Sequence, residues 1–207
     1  IYNHFEIREK LQNINKTKIN WNGHSDTETI LKAFEILGIE ETLKLAKGMF
    51  ALCLWDAKEE TITLARDRMG EKPLYYGYVN DNLVFASELK SIMQFNDFNN
   101  EICKKALVKY FKYNYIPSPH CIFKDLFKLE PGKFIQFKVS KNYFSFSKSI
   151  IKSYWKLHDI FRKGEVEPFK DEQLADTAVE NSLTRSIKSQ LISDVPLGTF
   201  LSGGIDS

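Results

Sequence analysis

The end of the chain carries the residue types whose spacing best fits a chemical role. Residues 197–201, with Leu197, Phe200 and Leu201, predict a short buried strand. A turn of small residues follows, and we expect a helix to begin directly after it. Unpaired backbone N–H groups and the helix dipole both favour phosphate at such a turn. The residues of this predicted phosphate cradle are Ser202, Gly203, Gly204, Asp206 and Ser207.

The predicted cradle differs from the P-loop of ATPases, in which Lys and then Ser or Thr follow the last glycine. Here Gly204 is followed by Ile205. A cradle without that lysine suits the binding of a pyrophosphate during attack at the α-phosphate, rather than transfer of a γ-phosphoryl group. The alternative is purely structural, because a strand can also end in an ordinary Gly-Gly turn.

Composition and charge exclude several classes of function. The chain is 43% hydrophobic and has 16 Phe, which is enough apolar side chain for a packed core. Its 29 basic and 27 acidic residues give a formal net charge of +2, so there is no electrostatic case for nucleic acid or a membrane surface as partner. No apolar run is long enough for a membrane span, and no signal peptide is visible. We therefore expect a cytoplasmic protein.

The cysteines and histidines form no pattern typical of a metal site. The three cysteines are odd in number and lack metal-ligand spacing, so we expect reduced thiols at Cys53, Cys103 and Cys121. The four histidines form no HExxH or HxH arrangement; they are His4, His24, His120 and His158. A metal site built from nitrogen and sulfur ligands is not expected.

A helix that begins near Ser25 places an acidic residue in its first turn. Ser25 and Glu28 have the spacing of a capping box, so Ser25 is the expected N-cap, and Gly38 is expected to end the helix. Asp26 then lies where a carboxylate complements the helix dipole. Its second role would be to bind an ammonium group beside the helix start. The pattern alone favours the first role.

Alternating apolar runs predict an antiparallel sheet in the first half of the chain. The predicted strands are 49–55, 61–66, 74–79 and 83–87, and we expect residues 49–87 to form one meander. The polar corner between the second and third strands contains Arg66, Asp67, Arg68 and Lys72. The positive charges among these side chains could bind phosphate. We expect instead that the four side chains form a salt-bridged structural corner near a domain boundary.

The second half of the chain predicts a change of architecture. Residues 163–170 are the best candidate for a linker, and 172–192 predict a helix that leads into the phosphate strand. This order is typical of a parallel-sheet domain. The sequence therefore predicts two domains, at residues 1–165 and 166–207. Because the chain opens on Ile1 and stops inside the phosphate motif, we expect it to be an internal fragment.

Seven motifs resemble those of glutamine-dependent asparagine synthetases, and they occur in the same order over essentially the whole chain. The two longest, ARDRMGEKPLYYG and DVPLGTFLSGGIDS, are highly specific, whereas IYNH alone would be weak. The motifs are IYNH (1–4), SDTE (25–28), GMFAL (48–52), ARDRMGEKPLYYG (65–77), FASELKSI (85–92), KLEPGK (128–133) and DVPLGTFLSGGIDS (194–207).

The resemblance implies an α+β fold. The first domain would be a class II glutaminase with the layered α/β/β/α fold of N-terminal-nucleophile hydrolases. The second would be the start of an α/β parallel-sheet ATP-pyrophosphatase domain. In this family the nucleophile is a terminal Cys whose own α-amine acts as base. The resemblance places that Cys and the oxyanion residues before Ile1, so the 207 residues alone are expected to contain no catalytic residue and to be inactive.

The resemblance assigns roles to a few residues by position. Asp26 matches the acid that binds the α-amino group of glutamine, so the resemblance favours its second role. The nucleotide and pyrophosphate contacts would be Leu201, Ser202, Gly203, Gly204, Asp206 and Ser207. Asp206 is the candidate to help hold Mg²⁺, an oxygen-seeking cation that is usually shared with phosphates.

The implied reaction makes asparagine from aspartate, ATP and glutamine. ATP and Mg²⁺ would activate aspartate as an acyl-adenylate, with AMP and pyrophosphate as products, and ammonia from glutamine would attack it. Two alternatives stay open: the same chemistry on a sugar or peptide-like carboxylate, and a binding protein that has lost the nucleophile. The partners expected are these small molecules, with neither nucleic acid nor membrane, and a second copy in a homodimer.

Overall fold

A computed structural model describes residues 1–140, 143–144, 149–193 and 195–205. The helices are α1 (His4–Ile14), α2 (Asp26–Leu37), α3 (Ile39–Leu45), α4 (Leu89–Ile92), α5 (Lys104–Tyr113), α6 (Leu157–Val166) and α7 (Glu172–Gln190). The strands are β1 (Ala51–Asp56), β2 (Thr61–Arg66), β3 (Tyr75–Val79), β4 (Asn82–Ala86), β5 (Leu126–Lys128), β6 (Lys133–Ser140), β7 (Tyr143–Phe144) and β8 (Ile150–Ser153).

The strands form two antiparallel sheets. In the first sheet the order is β1-β2-β6-β7, and β8 also pairs with β6. In the second sheet the order is β4-β3-β5. All of these pairs are antiparallel, as the alternating apolar runs predicted.

The alternation of side chains along each strand makes the two sheets pack face to face. In β6, Phe134 faces a core cluster that contains residues of α1, α2 and α3, whereas Ile135 and Phe137 face the second sheet. In the second sheet, Tyr76 meets that same inter-sheet cluster, and Val84 lies in a third cluster together with α4. Successive side chains point to opposite faces of a strand, so each sheet can serve two apolar layers. The order is helices, sheet, sheet, helix, which confirms the layered α+β fold.

The prediction of one continuous meander over residues 49–87 was wrong. β2 pairs with β6 instead of β3, and β3 lies in the other sheet between β4 and β5. A local reason is Gly77: a Cβ built there would overlap the Asp125 carbonyl oxygen and Leu126. Only a glycine allows β5 to approach β3 so closely.

Gly132 joins three separate parts of the first sheet. Its N–H donates to the Asp67 carbonyl at 2.9 Å, just beyond the end of β2. Its carbonyl accepts from the Tyr154 N–H at 2.9 Å and the Trp155 N–H at 3.2 Å, just beyond β8. The Tyr154 hydroxyl in turn donates to the Arg66 carbonyl at 2.7 Å. The φ of Gly132 is +65°, a conformation that favours glycine.

The end of the chain differs from the predicted strand and linker. Residues 195–205 contain no strand, so the strand predicted at 197–201 was wrong for this structure. A lone strand would leave its backbone N–H and C=O groups without partners, and the described residues offer it no neighbouring parallel strand. Helix α6 extends into the predicted linker as far as Val166, and α7 forms over most of the predicted helix. The apolar stripe of α7 is exposed, including Leu183 and Ile187.

Candidate functional site

The candidate site lies at the start of α2, where Ser25 caps the helix. The backbone of Ser25 is extended, and its hydroxyl accepts from the N–H groups of Thr27 at 3.0 Å and Glu28 at 3.4 Å. The predicted N-cap is therefore confirmed. The capping box is not closed as predicted, because the Glu28 carboxylate accepts from Asn22 at 2.7 Å and Gly23 at 3.0 Å. The Glu28 side chain thus stabilises the loop that precedes the N-cap.

Asp26 lies in the first turn of α2, and its carboxylate is partly exposed. Its Oδ2 atom lies 2.5 Å from the backbone nitrogen of Ile1, and 43% of its side chain is exposed. Burial raises the pKa of the Asp26 carboxyl, whereas the hydrogen bond from the Thr27 N–H at the start of the helix lowers it. With 43% of its side chain exposed, this carboxylate is accessible from the cavity.

His4 is a second titratable group close to this carboxylate. Its side chain lies on the buried face of α1, and the residue is 8% exposed. The Nδ1 atom is buried and has no hydrogen-bond partner among the described residues. Burial lowers the pKa of His4, although the charge of Asp26 acts in the opposite direction. Burial thus favours the neutral form of the His4 imidazole.

A cavity of about 220 Å³ opens beside Asp26. Its polar end is formed by Asp26 and Thr27, and its walls are apolar side chains of α2 and the β1 region, including Phe34, Phe50 and Leu52. A cavity that is mostly apolar with a carboxylate at one end suits a small molecule with an ammonium group. Cys53 also lines the cavity, but burial raises the pKa of its thiol, so it is a poor nucleophile at neutral pH.

The polar corner after β2 is a structural element. The buried Asp67 carboxylate accepts from the N–H groups of its neighbours Met69 at 3.1 Å, Glu71 at 2.9 Å and Lys72 at 2.9 Å. The Arg66 guanidinium donates to the carbonyls of Lys72 at 2.8 Å, Leu129 at 2.7 Å and Gly70 at 2.5 Å. Each side chain therefore saturates the backbone of the turn.

The structural role predicted for this corner is thus supported, but the predicted salt bridges were wrong. No ion pair joins two side chains within residues 65–77, all of which the structure describes. Arg68 donates to the Lys44 carbonyl at 2.6 Å, which links the corner to α3. Buried backbone groups in a tight turn need partners, and short-range charge pairing would leave them unsatisfied.

The predicted phosphate cradle is not assembled in the described residues. Leu201 is 83% exposed, and the Gly204 N–H donates to the Ser202 hydroxyl at 3.3 Å. A Cβ built at Gly203 would meet no atom within 4 Å, so nothing yet requires a glycine there. Asp206 and Ser207 lie outside the described residues. The roles assigned to these residues stay predictions.

Sequence reasoning missed two features of the site. The first is His4, whose place beside Asp26 depends on the packing of α1 against α2; the motif IYNH was the only signal. The second is the β1 wall of the cavity, since an apolar run such as 49–55 looks the same whether it lines a site or fills a core. Both features depend on how separate elements of the chain pack together.

Within the described part of the chain, no group of three or more His, Cys, Asp or Glu side chains could hold a metal ion. No helix there is long and apolar enough to cross a membrane.

Two protein families match this chain. Residues 1–155 match the family described as glutamine amidotransferase domain. Residues 178–207 match the family described as asparagine synthase. The first match ends close to the end of β8, and the second begins within α7.

Several proteins are similar over the full length of the chain. A protein of Methanocaldococcus jannaschii, described as a candidate asparagine synthetase (glutamine-hydrolysing), is 37% identical over 210 residues. Asparagine synthetase (glutamine-hydrolysing) 1 of Bacillus subtilis is 37% identical over 208 residues. An amidase of Penicillium rubens is 29% identical over 207 residues. The alignments span 100% of this chain but 37%, 30% and 28% of these relatives.

A solved structure of glutamine phosphoribosylpyrophosphate amidotransferase from Bacillus subtilis is also similar. The alignment covers 75% of this chain and 27% of that one, with 17% sequence identity and a TM-score of 0.44.

Proposed function

The chain belongs to the glutamine amidotransferase domain family, and from this we propose that the protein uses glutamine as an ammonia donor for an acceptor carboxylate. The observation that carries the proposal is the partly exposed Asp26 carboxylate at the polar end of an otherwise mostly apolar cavity. The α-ammonium group is one of the two charged groups that distinguish glutamine from a simple amide. Hydrogen bonds to charged groups contribute roughly 1.5–3 kcal/mol, enough to select for it.

The chemistry of hydrolysis requires a nucleophile that the resemblance places outside this sequence. A thiolate would attack the side-chain amide of glutamine, release ammonia and leave a thioester that water hydrolyses to glutamate. Cys53 lines the cavity, but the pKa of its thiol is raised by desolvation, which disfavours the thiolate. In our proposal the residues of this chain bind and orient glutamine, and they do not supply the attacking group.

We further propose that the acceptor is aspartate and the product asparagine. Support comes from the asparagine synthase match at residues 178–207 and from the names of the two relatives at 37% identity. ATP and Mg²⁺ would activate the aspartate carboxylate, with Asp206 as the candidate Mg²⁺ contact. The described loop at 202–205 is exposed and does not by itself enclose a phosphate.

A second candidate keeps glutamine and changes the acceptor. The Penicillium rubens relative carries the name amidase, and its alignment also spans 100% of this chain. The residues aligned in this chain are therefore compatible with more than one product. Glutamine, the acceptor and ATP are the proposed small-molecule partners, and a homodimer is proposed only from the family resemblance.

The decisive experiment uses the complete protein that contains this chain. It is incubated with Mg²⁺, ATP, glutamine and aspartate, and the products are identified by mass. Asparagine, glutamate and AMP together would support the proposal. Glutamate without asparagine or AMP would indicate a working glutaminase with another acceptor. Absence of glutamate would contradict the proposed use of glutamine.

A further inference from the structure

We propose that Arg8 is a positioning residue, which holds the start of α2 so that the Asp26 carboxylate faces an α-ammonium ligand. The proposal rests on the proposed function, because it concerns the same glutamine site. Arg8 lies on α1, one helix away from Asp26, and its side chain is 11% exposed. Its contacts converge on the loop and helix start that carry Asp26.

The three nitrogens of the Arg8 guanidinium donate to three acceptors around Asp26. Nε donates to the Thr29 hydroxyl at 2.7 Å, Nη1 to the Gly23 carbonyl at 2.8 Å and Nη2 to the Ser25 carbonyl at 3.0 Å. The Ser25 carbonyl belongs to the peptide group that precedes Asp26. The guanidinium group therefore holds in place both the loop before Asp26 and the helical turn after it.

Two further contacts hold the guanidinium itself in place. Its central carbon lies 4.2 Å from the centre of the Trp21 ring, a cation–π contact. Nη2 lies 3.5 Å from the Glu28 carboxylate, which also accepts from the backbone of Asn22 and Gly23. Arg8 and Glu28 thus both bind the backbone of the loop before α2. The negative charge of Glu28 also balances the positive charge of Arg8.

This pairing leaves Asp26 available for a ligand. Among the described residues, the carboxylate that forms an ion pair with Arg8 is that of Glu28, whereas the carboxylate of Asp26 lines the cavity. Arg8 therefore acts on Asp26 through the backbone. A lysine could not replace it, because an ammonium lacks the planar fork that reaches three fixed acceptors at once.

The inference predicts that Arg8 controls recognition of the α-amino group and not catalysis in general. The complete protein is assayed for hydrolysis of glutamine and of glutaramate, the same molecule without the amino group. We expect Arg8→Lys to raise the KM for glutamine about tenfold with kcat nearly unchanged, as befits lost ground-state binding. The KM for glutaramate should stay within about twofold of the wild-type value.

Three further variants make the test selective. Thr29→Val removes one acceptor of the fork with little change in shape and should shift the glutamine KM in the same direction, by less. In the double variant of Arg8→Lys and Asp26→Asn, the two effects should not add, because a neutral residue 26 no longer needs positioning. Arg162→Lys, at an exposed position of α6, is the matched control and should change neither KM.

The outcomes separate this inference from the proposed function. If Asp26→Asn raises the glutamine KM and Arg8→Lys does not, the inference is wrong and the function stands. If Arg8→Lys affects glutamine and glutaramate equally, Arg8 is merely structural and the inference is also overturned. If the complete protein neither hydrolyses glutamine nor binds it by calorimetry, the proposed function and the inference fall together.

Discussion

Asp67 and Phe50 exchange two hydrogen bonds across the start of the first sheet. The Asp67 N–H donates to the Phe50 carbonyl at 2.9 Å, and the Phe50 N–H donates to Oδ2 of Asp67 at 3.3 Å. Phe50 lines the cavity beside Asp26, whereas Asp67 organises the polar corner. The polar corner and the wall of the candidate site are therefore one hydrogen-bonded unit. A substitution that disrupts the corner should also displace the wall of the site.

Replacing Asp67 tests how much the fold depends on that unit. In Asp67→Asn, one of the two acceptor oxygens becomes an amide donor that faces the backbone N–H groups it should accept from. We expect the free energy of unfolding to fall by about 2–4 kcal/mol, measured by urea denaturation. Asp176→Asn, on the exposed part of α7, is the control and should change it by less than about 0.5 kcal/mol. A loss no larger than that of the control would contradict the role of the corner.

Gly77 is the position where the second sheet should tolerate no side chain. A Cβ there overlaps the backbone of β5, so Gly77→Ala should separate β3 from β5 and lower the free energy of unfolding by about 1–3 kcal/mol or more. Gly164→Ala is the matched control, because its Cβ would meet no atom within 4 Å in helix α6. Alanine there should be neutral or stabilising by about 0.5–1 kcal/mol. Thermal unfolding of both variants checks the contrast; equal melting temperatures would refute it.

His4 should make the protein less stable in mild acid. Burial lowers its pKa below the ordinary value of 6.5, so between the folded and unfolded pKa values the unfolded chain binds the proton more readily. The free energy of unfolding should therefore fall as the pH drops through 6.5, until the pH lies below the folded pKa. The variant His4→Asn, which keeps a polar group but does not titrate there, should lose less stability between pH 7.5 and 5.

The control for this titration is His158→Asn, since His158 is exposed on α6. Its pH dependence should match that of the wild type. Urea unfolding at several pH values gives both curves. If His4→Asn follows the wild-type curve as well, the imidazole of His4 does not contribute to acid sensitivity.

The sequence predicts local structure here better than it predicts which strands meet. The cap at Ser25 and strand β2 follow from spacing and alternation, because each depends on neighbours a few residues away. The pairing of β2 with β6 joins residues about seventy positions apart, and hydrophobic alternation gives no partner for a strand. That is why a continuous meander was predicted and two sheets formed.

The candidate site shows the same division. The position of Asp26 in the first turn of α2 was predictable from the capping spacing, whereas the clamp by Arg8 was not. Arg8 reaches its acceptors across fifteen to twenty-one residues, and a single arginine in a helix carries no pattern that points to them. Salt bridges were predicted in the polar corner because a sequence shows which side chains are charged. It does not show which backbone N–H and C=O groups lie close enough to bind those side chains.

The hydrogen bonds at Gly132 have a consequence for amide exchange in deuterium oxide. The N–H groups of Gly132 and Tyr154 join the polar corner, β6 and the residue after β8, so none of them can open without separating several parts of the sheet. Such amides exchange only through global unfolding, whereas isolated helices exchange through local opening. The exposed helix α7 should therefore take up deuterium long before Gly132 does, and the slowest-exchanging core should begin at a glycine in a turn.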